Sequence, residues 1–206
     1  MLILINMLLN EINRIKTLMN LNERSFKTNL FKNFDIFEFK KFAPPKDNSE
    51  ETKQELVYLR SIDLKKRFVQ EKDDIEGNFI EFMSSKNIKD DSLIKKISSD
   101  VRSIILDLKN FYKRPRPFRL DKKLDDCVLN SMDGFSYPSG HSTQSNLIYF
   151  VLSHKYPELK SDLKKIKDDI VYSRQMAKAH YPSDIKFGEK LAKSLFIYLK
   201  NNNLIH

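Results

Sequence analysis

The stretch Asp90–Pro117, DDSLIKKISSDVRSIILDLKNFYKRPRP, decides the fold class. Ile94, Ile97, Val101, Ile105, Leu108 and Tyr112 recur at steps of three or four, the spacing that gathers apolar groups on one face of an α-helix. That helix begins at Asp90 or Asp91. Pro115 and Pro117 end it, since proline lacks the amide and its ring clashes with the preceding turn.

The same periodicity extends in both directions. Asn48 with Glu51 reads as a capping box that opens a helix through about Glu71, and a further helix is expected over Ile75–Ser85. Ser142–Ser153 reads as a buried helix, and Pro157 opens another that carries Leu159, Leu163, Ile166, Ile170 and Ala177. Pro182 suits the first turn of a last helix that runs to about Lys200. Residues 118–138 read as irregular and polar, and no run alternates with period two. The expected architecture is all-α, an antiparallel helical bundle. Toward the amino terminus, Phe26, Phe31, Phe34, Phe37, Phe39 and Phe42 precede an extended Pro44-Pro45 connector. Leu2, Ile5, Leu9, Ile12, Ile15 and Leu18 step at helical spacing, so residues 1–50 are expected to form an amino-terminal helical extension of a single domain spanning 1–206.

With 206 residues the chain should bury ~70% of its unfolded surface, enough for a core without covalent staples. The single cysteine, Cys127, excludes an intramolecular disulfide, and four glycines exclude a collagen-like class. The longest interior apolar run, Leu147–Leu152, falls far short of the ~18 residues of a transmembrane helix, so a soluble chain is expected. Met1–Leu9 is apolar, yet no Lys or Arg precedes it, Asn6 interrupts it and no small-residue cleavage site follows. An amphipathic helix fits this segment better than a secretory signal. The compartment is periplasmic if Met1–Leu9 belongs to an atypical signal and cytoplasmic otherwise.

The net charge of +9 suggests an anionic partner, whether nucleic acid, membrane surface or phosphorylated substrate. Its distribution narrows the choice. Lys109, Lys113, Arg114, Arg116, Arg119, Lys122 and Lys123 face one acid, Asp121, so the window 109–123 alone nets +6.

Three blocks carry chemistry. In the first, Lys109 lies beside the apolar stripe, and Arg116 is held between two prolines that fix its backbone and hence its aim. A lysine point charge with a planar arginine fork suits phosphate. A basic helix terminus that complements the macrodipole would look the same. In the second, Pro138-Ser139-Gly140-His141 leads into an apolar helix, whose free amides suit an oxoanion and whose glycine permits close approach. A plain turn capped by Ser142 is the alternative, although it leaves His141 unexplained. In the third, Ser173-Arg174 is followed by His180, at the end of one helix, and by Asp184, in the first turn of the next. A carboxylate there fixes the imidazole tautomer and leaves the other nitrogen basic and nucleophilic. A buried histidine satisfied by a local acid is the alternative, while a metal pair lacks further ligands of matching type nearby.

Together these blocks resemble the phosphatidic-acid-phosphatase type 2 (PAP2) superfamily, which contains bacterial class A acid phosphatases and vanadium haloperoxidases. Its signature K-x6-R-P, P-S-G-H, S-R-x5-H-x3-D is met at all eleven fixed positions: Lys109, Arg116, Pro117, Pro138, Ser139, Gly140, His141, Ser173, Arg174, His180 and Asp184. The wording KNFYKRPRPF and GFSYPSGHST is most similar to the soluble class A acid phosphatases. The chain departs from that class in lacking a convincing secretory signal and an intramolecular disulfide. The resemblance implies the helical bundle of that superfamily, with its signature region at 109–184. It implies a phosphatase that needs no metal or cofactor and hydrolyses phosphate monoesters through a phosphohistidine. His180 would be the nucleophile, Asp184 its orienting acid and His141 the general acid and base. Lys109, Arg116, Arg174, Ser139 and the Gly140 amide would hold the phosphate oxygens.

The expected partner is therefore a small phosphorylated substrate, with no nucleic acid. A nucleic-acid-binding module built on 109–123 would account for the charge but not for His141, His180 and Asp184. A peripheral lipid-phosphate or pyrophosphate phosphatase, docked through residues 2–19, shares the signature. A vanadium haloperoxidase would hold vanadate in the same pocket, but such enzymes are generally far longer than 206 residues.

Overall fold

The computed structural model describes residues 29–124 and 132–205. The amphipathic helix expected over Leu2–Leu18, the Met1–Leu9 segment and Cys127 lie outside them. The described helices are α1 (Glu50–Arg60), α2 (Lys66–Glu71), α3 (Ile75–Ser85), α4 (Asp91–Tyr112), α5 (Pro117–Leu120), α6 (Gly140–Lys155), α7 (Lys160–Met176) and α8 (Pro182–Asn201). Short 3₁₀ turns cover Phe37–Lys41, Lys122–Leu124 and Pro157–Leu159. Among the described residues there is no strand, and the chain is an all-α bundle.

The α4 stripe buries Ile94, Ile97, Val101, Ile105 and Leu108 as its periodicity predicts. Helix α6 is the centre of the bundle and packs against α4, α7 and α8. Its first half buries the polar Ser142, Thr143, Ser145 and Asn146, whereas Leu147–Leu152 is apolar all round, with Leu147, Ile148 and Leu152 fully enclosed. A fully buried side chain of this kind contributes ~1.5–3 kcal/mol, so this helix anchors the elements around it. A second apolar cluster joins Leu56, Leu59, Val69, Met176 and Tyr181 beneath the site.

The structure departs from several of these expectations. The stretch 118–138, expected to be irregular, carries most of α5 and the 3₁₀ turn Lys122–Leu124. The cap of α1 is Ser49, not Asn48: its hydroxyl accepts from the Thr52 amide at 3.2 Å. The helix expected to continue to Glu71 breaks after Arg60, and α2 begins only at Lys66. The buried Lys178 ammonium explains the break, because it takes the carbonyls of Leu59 (2.6 Å) and Ile62, which a continuous helix would consume. Pro157 opens only a 3₁₀ turn, and α7 proper starts at Lys160.

Residues 29–42 are strapped to the bundle. The Leu30 amide donates to Asp100 at 2.8 Å, Tyr112 donates to the Phe39 carbonyl at 2.8 Å, and Tyr137 donates to the Phe42 carbonyl at 2.8 Å. Phe39 and Tyr137 both pack their rings against Phe187 of α8. Among the described residues no helix is long and apolar enough to cross a membrane.

Candidate active site

The first block ends a helix and re-aims the chain. Lys113 takes a left-handed conformation (φ 51°), closing α4, and the two prolines then start α5 with Arg116 at its cap. Lys109, on the last turn of α4, reaches the carbonyls of Phe135 and Ser136. Arg116 donates to the Ala179 carbonyl at 2.9 Å and to those of Gly134 and Asp133 at 3.4 and 3.3 Å.

The second block is the amino terminus of α6. Ser139, not Ser142, is the cap: its hydroxyl accepts from the Ser142 amide at 3.2 Å. The Ser139 amide in turn donates to the Asp184 carbonyl at 3.1 Å, and the Ser142 hydroxyl donates to Ile185 O at 2.8 Å. These bonds seat α6 on the first turn of α8, a seat close enough to require a glycine. A Cβ at Gly188 would stand 2.9 Å from Ser139 O and 3.0 Å from the Ser142 side chain. Gly140 has more room, since a Cβ there would meet nothing nearer than 3.7 Å.

The third block forms where α7 ends. That helix stops at Met176, earlier than the sequence suggested, and Lys178 turns the chain with φ 56°. His180 therefore sits in the turn, not on the helix. Its Nδ1 lies 3.4 Å from Asp184 Oδ2, and its Nε2 lies 3.0 Å from Arg116 Nη1. A guanidinium only donates, so Nε2 is the acceptor and the proton resides on Nδ1, facing the carboxylate. Burial, reinforced by Arg116, Lys109, His141 and Arg174, holds the His180 pKa well below its usual value. The ring is neutral, with its Nε2 lone pair at the cations.

Asp184 is held by more than His180. It accepts from the Tyr181 amide at 3.0 Å and from Arg114 Nη1 at 2.6 Å. Arg114 also donates to Glu55 at 3.0 Å and to Ser183 at 2.7 Å, and its guanidinium lies 3.8 Å from the centre of the Tyr181 ring. Glu55 closes the network by accepting from the Ser183 amide at 2.6 Å. All three charges are buried. Burial pushes the Asp184 pKa up, and Arg114, the Tyr181 amide and Lys109 pull against it. Burial also opposes the charge of Arg114, but Asp184 and Glu55 outweigh it and raise its pKa.

His141 belongs to another carboxylate. Its Nε2 is 3.0 Å from the Asp73 carbonyl and 3.1 Å from Asp73 Oδ1, and these two acceptors, nearer than Arg174 Nη1 at 3.4 Å, place a proton on this nitrogen. Its Nδ1 has no partner among the described residues. Asp73 simultaneously pairs with Arg174, which also donates to Val69 O at 3.1 Å and Ser173 Oγ at 3.0 Å. Burial and Arg174 lower the His141 pKa, and Asp73 opposes them.

A cleft of about 330 Å³ opens onto this arrangement, lined by Lys109, Arg116, Gly140, His141 and His180 together with Arg102, Ile105, Leu106, Asp133 and Gln144. Burial, with Arg116 adding to it, lowers the Lys109 pKa to about 7 despite Asp184. Burial likewise lowers Arg116 to about 10. Cations buried and crowded together in this way mark a site that an anion would stabilise. Of the eight residues singled out from the sequence, five line the cleft, while Ser139, Arg174 and Asp184 stand fully buried around it. Glu55, Asp73 and Arg114 were not assigned to the site. Arg114 was visible only as one member of a basic run. Glu55 joins from α1 and Asp73 from the turn between α2 and α3, and no spacing rule connects either to the signature. Among the described residues no three His, Cys, Asp or Glu side chains converge as metal ligands.

The arrangement defines a class: residues 97–200, half of the chain, match the PAP2 superfamily, and the chain belongs to it. Within it the chain is similar to a non-specific acid phosphatase of Salmonella typhi, 35% identical over 97 residues, and to one of Salmonella typhimurium, 32% identical over 97 residues. Each match covers 45% of this chain and 38% of the relative, so it reaches less than two fifths of those proteins.

Proposed function

We propose that the chain is a metal-independent phosphomonoesterase working through a phosphohistidine. The observation that carries this is the neutral His180, whose Nε2 lies 3.0 Å from the Arg116 guanidinium while Asp184 backs its Nδ1. An incoming phosphate draws Arg116 onto its oxygens, which frees the Nε2 lone pair beside the phosphorus. His180 then attacks in line, the ester P–O bond breaks, and the alkoxide takes a proton from Nδ1 of protonated His141. Asp73 stabilises that imidazolium through Nε2. In the second step His141 takes a proton from water, whose oxygen attacks phosphorus, and the P–N bond breaks to release inorganic phosphate. Lys109 and Arg116 at the cleft, with Arg174 behind His141, neutralise the charge that phosphoryl transfer spreads over its equatorial oxygens. The buried Ser139 serves this by fixing the end of α6, so that the Gly140 amide faces the cleft.

The full-length chain should hydrolyse p-nitrophenyl phosphate in the presence of EDTA, and vanadate should inhibit it. An acid-quenched reaction should trap label on His180, and His180→Ala should abolish both label and turnover. Activity that chelation abolishes, or that survives in His180→Ala, would overturn the proposal.

A further inference from the structure

The reacting phosphate needs only the inner end of the cleft, where Lys109, Arg116, His141 and His180 converge. The remaining wall must meet the leaving group, and its chemistry is specific. Arg102 and Leu106 come from α4 and Gln144 from α6. Arg102 precedes Lys109 by seven residues, two helical turns, which puts both on one face with Cα atoms ~10 Å apart. That separation suits the two ends of a small substrate and is too long for one phosphate to satisfy both cations.

Among the described residues the charge of Arg102 is uncommitted. Arg60, Arg67, Arg114 and Arg174 each hold a carboxylate. Arg102 has no carboxylate within ion-pair distance among the described residues. Its acidic neighbours on α4 are engaged elsewhere, Asp100 with Lys96 at 2.6 Å and Asp107 with Lys40 at 3.1 Å. Gln144 spends its amide nitrogen on Ser98 O (3.1 Å) and Ser98 Oγ (2.9 Å), so the oxygen is left to accept from a substrate hydroxyl. Leu106 is 46% exposed and offers contact to a short carbon chain. Asp133 lines the cleft from the loop that holds Arg116, and its charge turns a second anion away from that side toward α4.

Resting on the phosphomonoesterase reading, we propose that Arg102 selects substrates by a second anionic group: short hydroxylated phosphate esters that carry a carboxylate or second phosphate at the far end of the leaving group. The test is a matched pair, 3-phosphoglycerate and glycerol 3-phosphate, which share a carbon chain and differ in the terminal carboxylate. At low ionic strength, kcat/KM for 3-phosphoglycerate should exceed that for glycerol 3-phosphate by about 10-fold, the scale of one charge-assisted hydrogen bond at a partly open site. Arg102→Gln should bring the ratio to about one, and Arg102→Lys should keep part of it. A wild-type ratio near one, or a ratio that Arg102→Gln leaves unchanged, would overturn the subsite. Calorimetric binding of the same two esters separates the two proposals. If neither ester is hydrolysed, tighter binding of 3-phosphoglycerate that depends on Arg102 upholds the subsite while the hydrolytic reading falls. Equal binding then overturns the subsite too.

Discussion

Replacing Arg114 with methionine keeps an unbranched stem against Tyr181 and removes the cation that bridges Glu55 and Asp184, both of which lie within 3.0 Å of it. Breaking a buried ion pair by deleting one partner costs about 3–5 kcal/mol, because the remaining charge is left uncompensated. Here two carboxylates are orphaned, although Glu55 keeps the Ser183 amide and Asp184 keeps the Tyr181 amide. The loss at pH 7 should therefore fall within that range for the pair, a large part of the ~5–15 kcal/mol that holds a domain together. The pH dependence has a definite sign. Burial already raises the Asp184 pKa in the folded chain, and removing Arg114 raises it further. A carboxylate with a raised folded pKa binds its proton more tightly in the folded state, so stability falls as pH climbs from the unfolded value, about 3.9, through the folded one. The deficit of Arg114→Met should accordingly shrink at pH 5. Adding Glu55→Gln should recover part of it, with a coupling of roughly 0.5–3 kcal/mol. Urea unfolding at both pH values measures the stability. Turnover of p-nitrophenyl phosphate should fall on the order of 10²-fold as Asp184 loses its aim at His180. A stability loss below about 1 kcal/mol at pH 7, or an equal loss at pH 5, would refute the view that this network is an electrostatic clamp.

Asp73→Asn removes the anion that favours protonated His141, so the alkaline limb of the kcat/KM profile assigned to His141 should move to lower pH; an unmoved limb would detach Asp73 from the acid. For Lys109, whose pKa burial lowers to about 7, charge is lost as pH rises through that value, and KM for phosphate esters should rise with it. Gly188→Ala forces contacts of 2.9–3.0 Å against α6 and should cost about 1–3 kcal/mol in thermal or urea unfolding, whereas Gly140→Ala, with 3.7 Å of room, should change stability by less than about 1 kcal/mol. Lys178→Met takes the ammonium from the carbonyls of Leu59, which keeps the Ile62 amide at 3.3 Å, and of Ile62, and should cost about 1–3 kcal/mol in the same unfolding curves.

By itself the sequence determined the helices with strong local signals and the residues of the signature. The α4 stripe needs only its own spacing, and α3 falls at Ile75–Ser85, the bounds the sequence suggests. Lys109, Arg116, His141, His180 and Asp184 were legible because their spacing matches a family signature, and the fold brings all five into one site. What the sequence did not show depends on partners far away along the chain. The break between α1 and α2 is decided by Lys178, more than a hundred residues later, and the local pattern across Glu50–Glu71 gives no sign of it. The choice of Ser139 over Ser142 as the cap follows from how α6 docks on α8 through Gly188, a close approach that only packing reveals. Asp73, Glu55 and Arg114 entered the site in the same way. A buried charge must find its counter-charge in space, and the helices that supply it are set by packing, whereas the reacting groups are set by local order. The sequence thus named the groups that converge on the cleft, and the tertiary structure decided which carboxylates hold them in place.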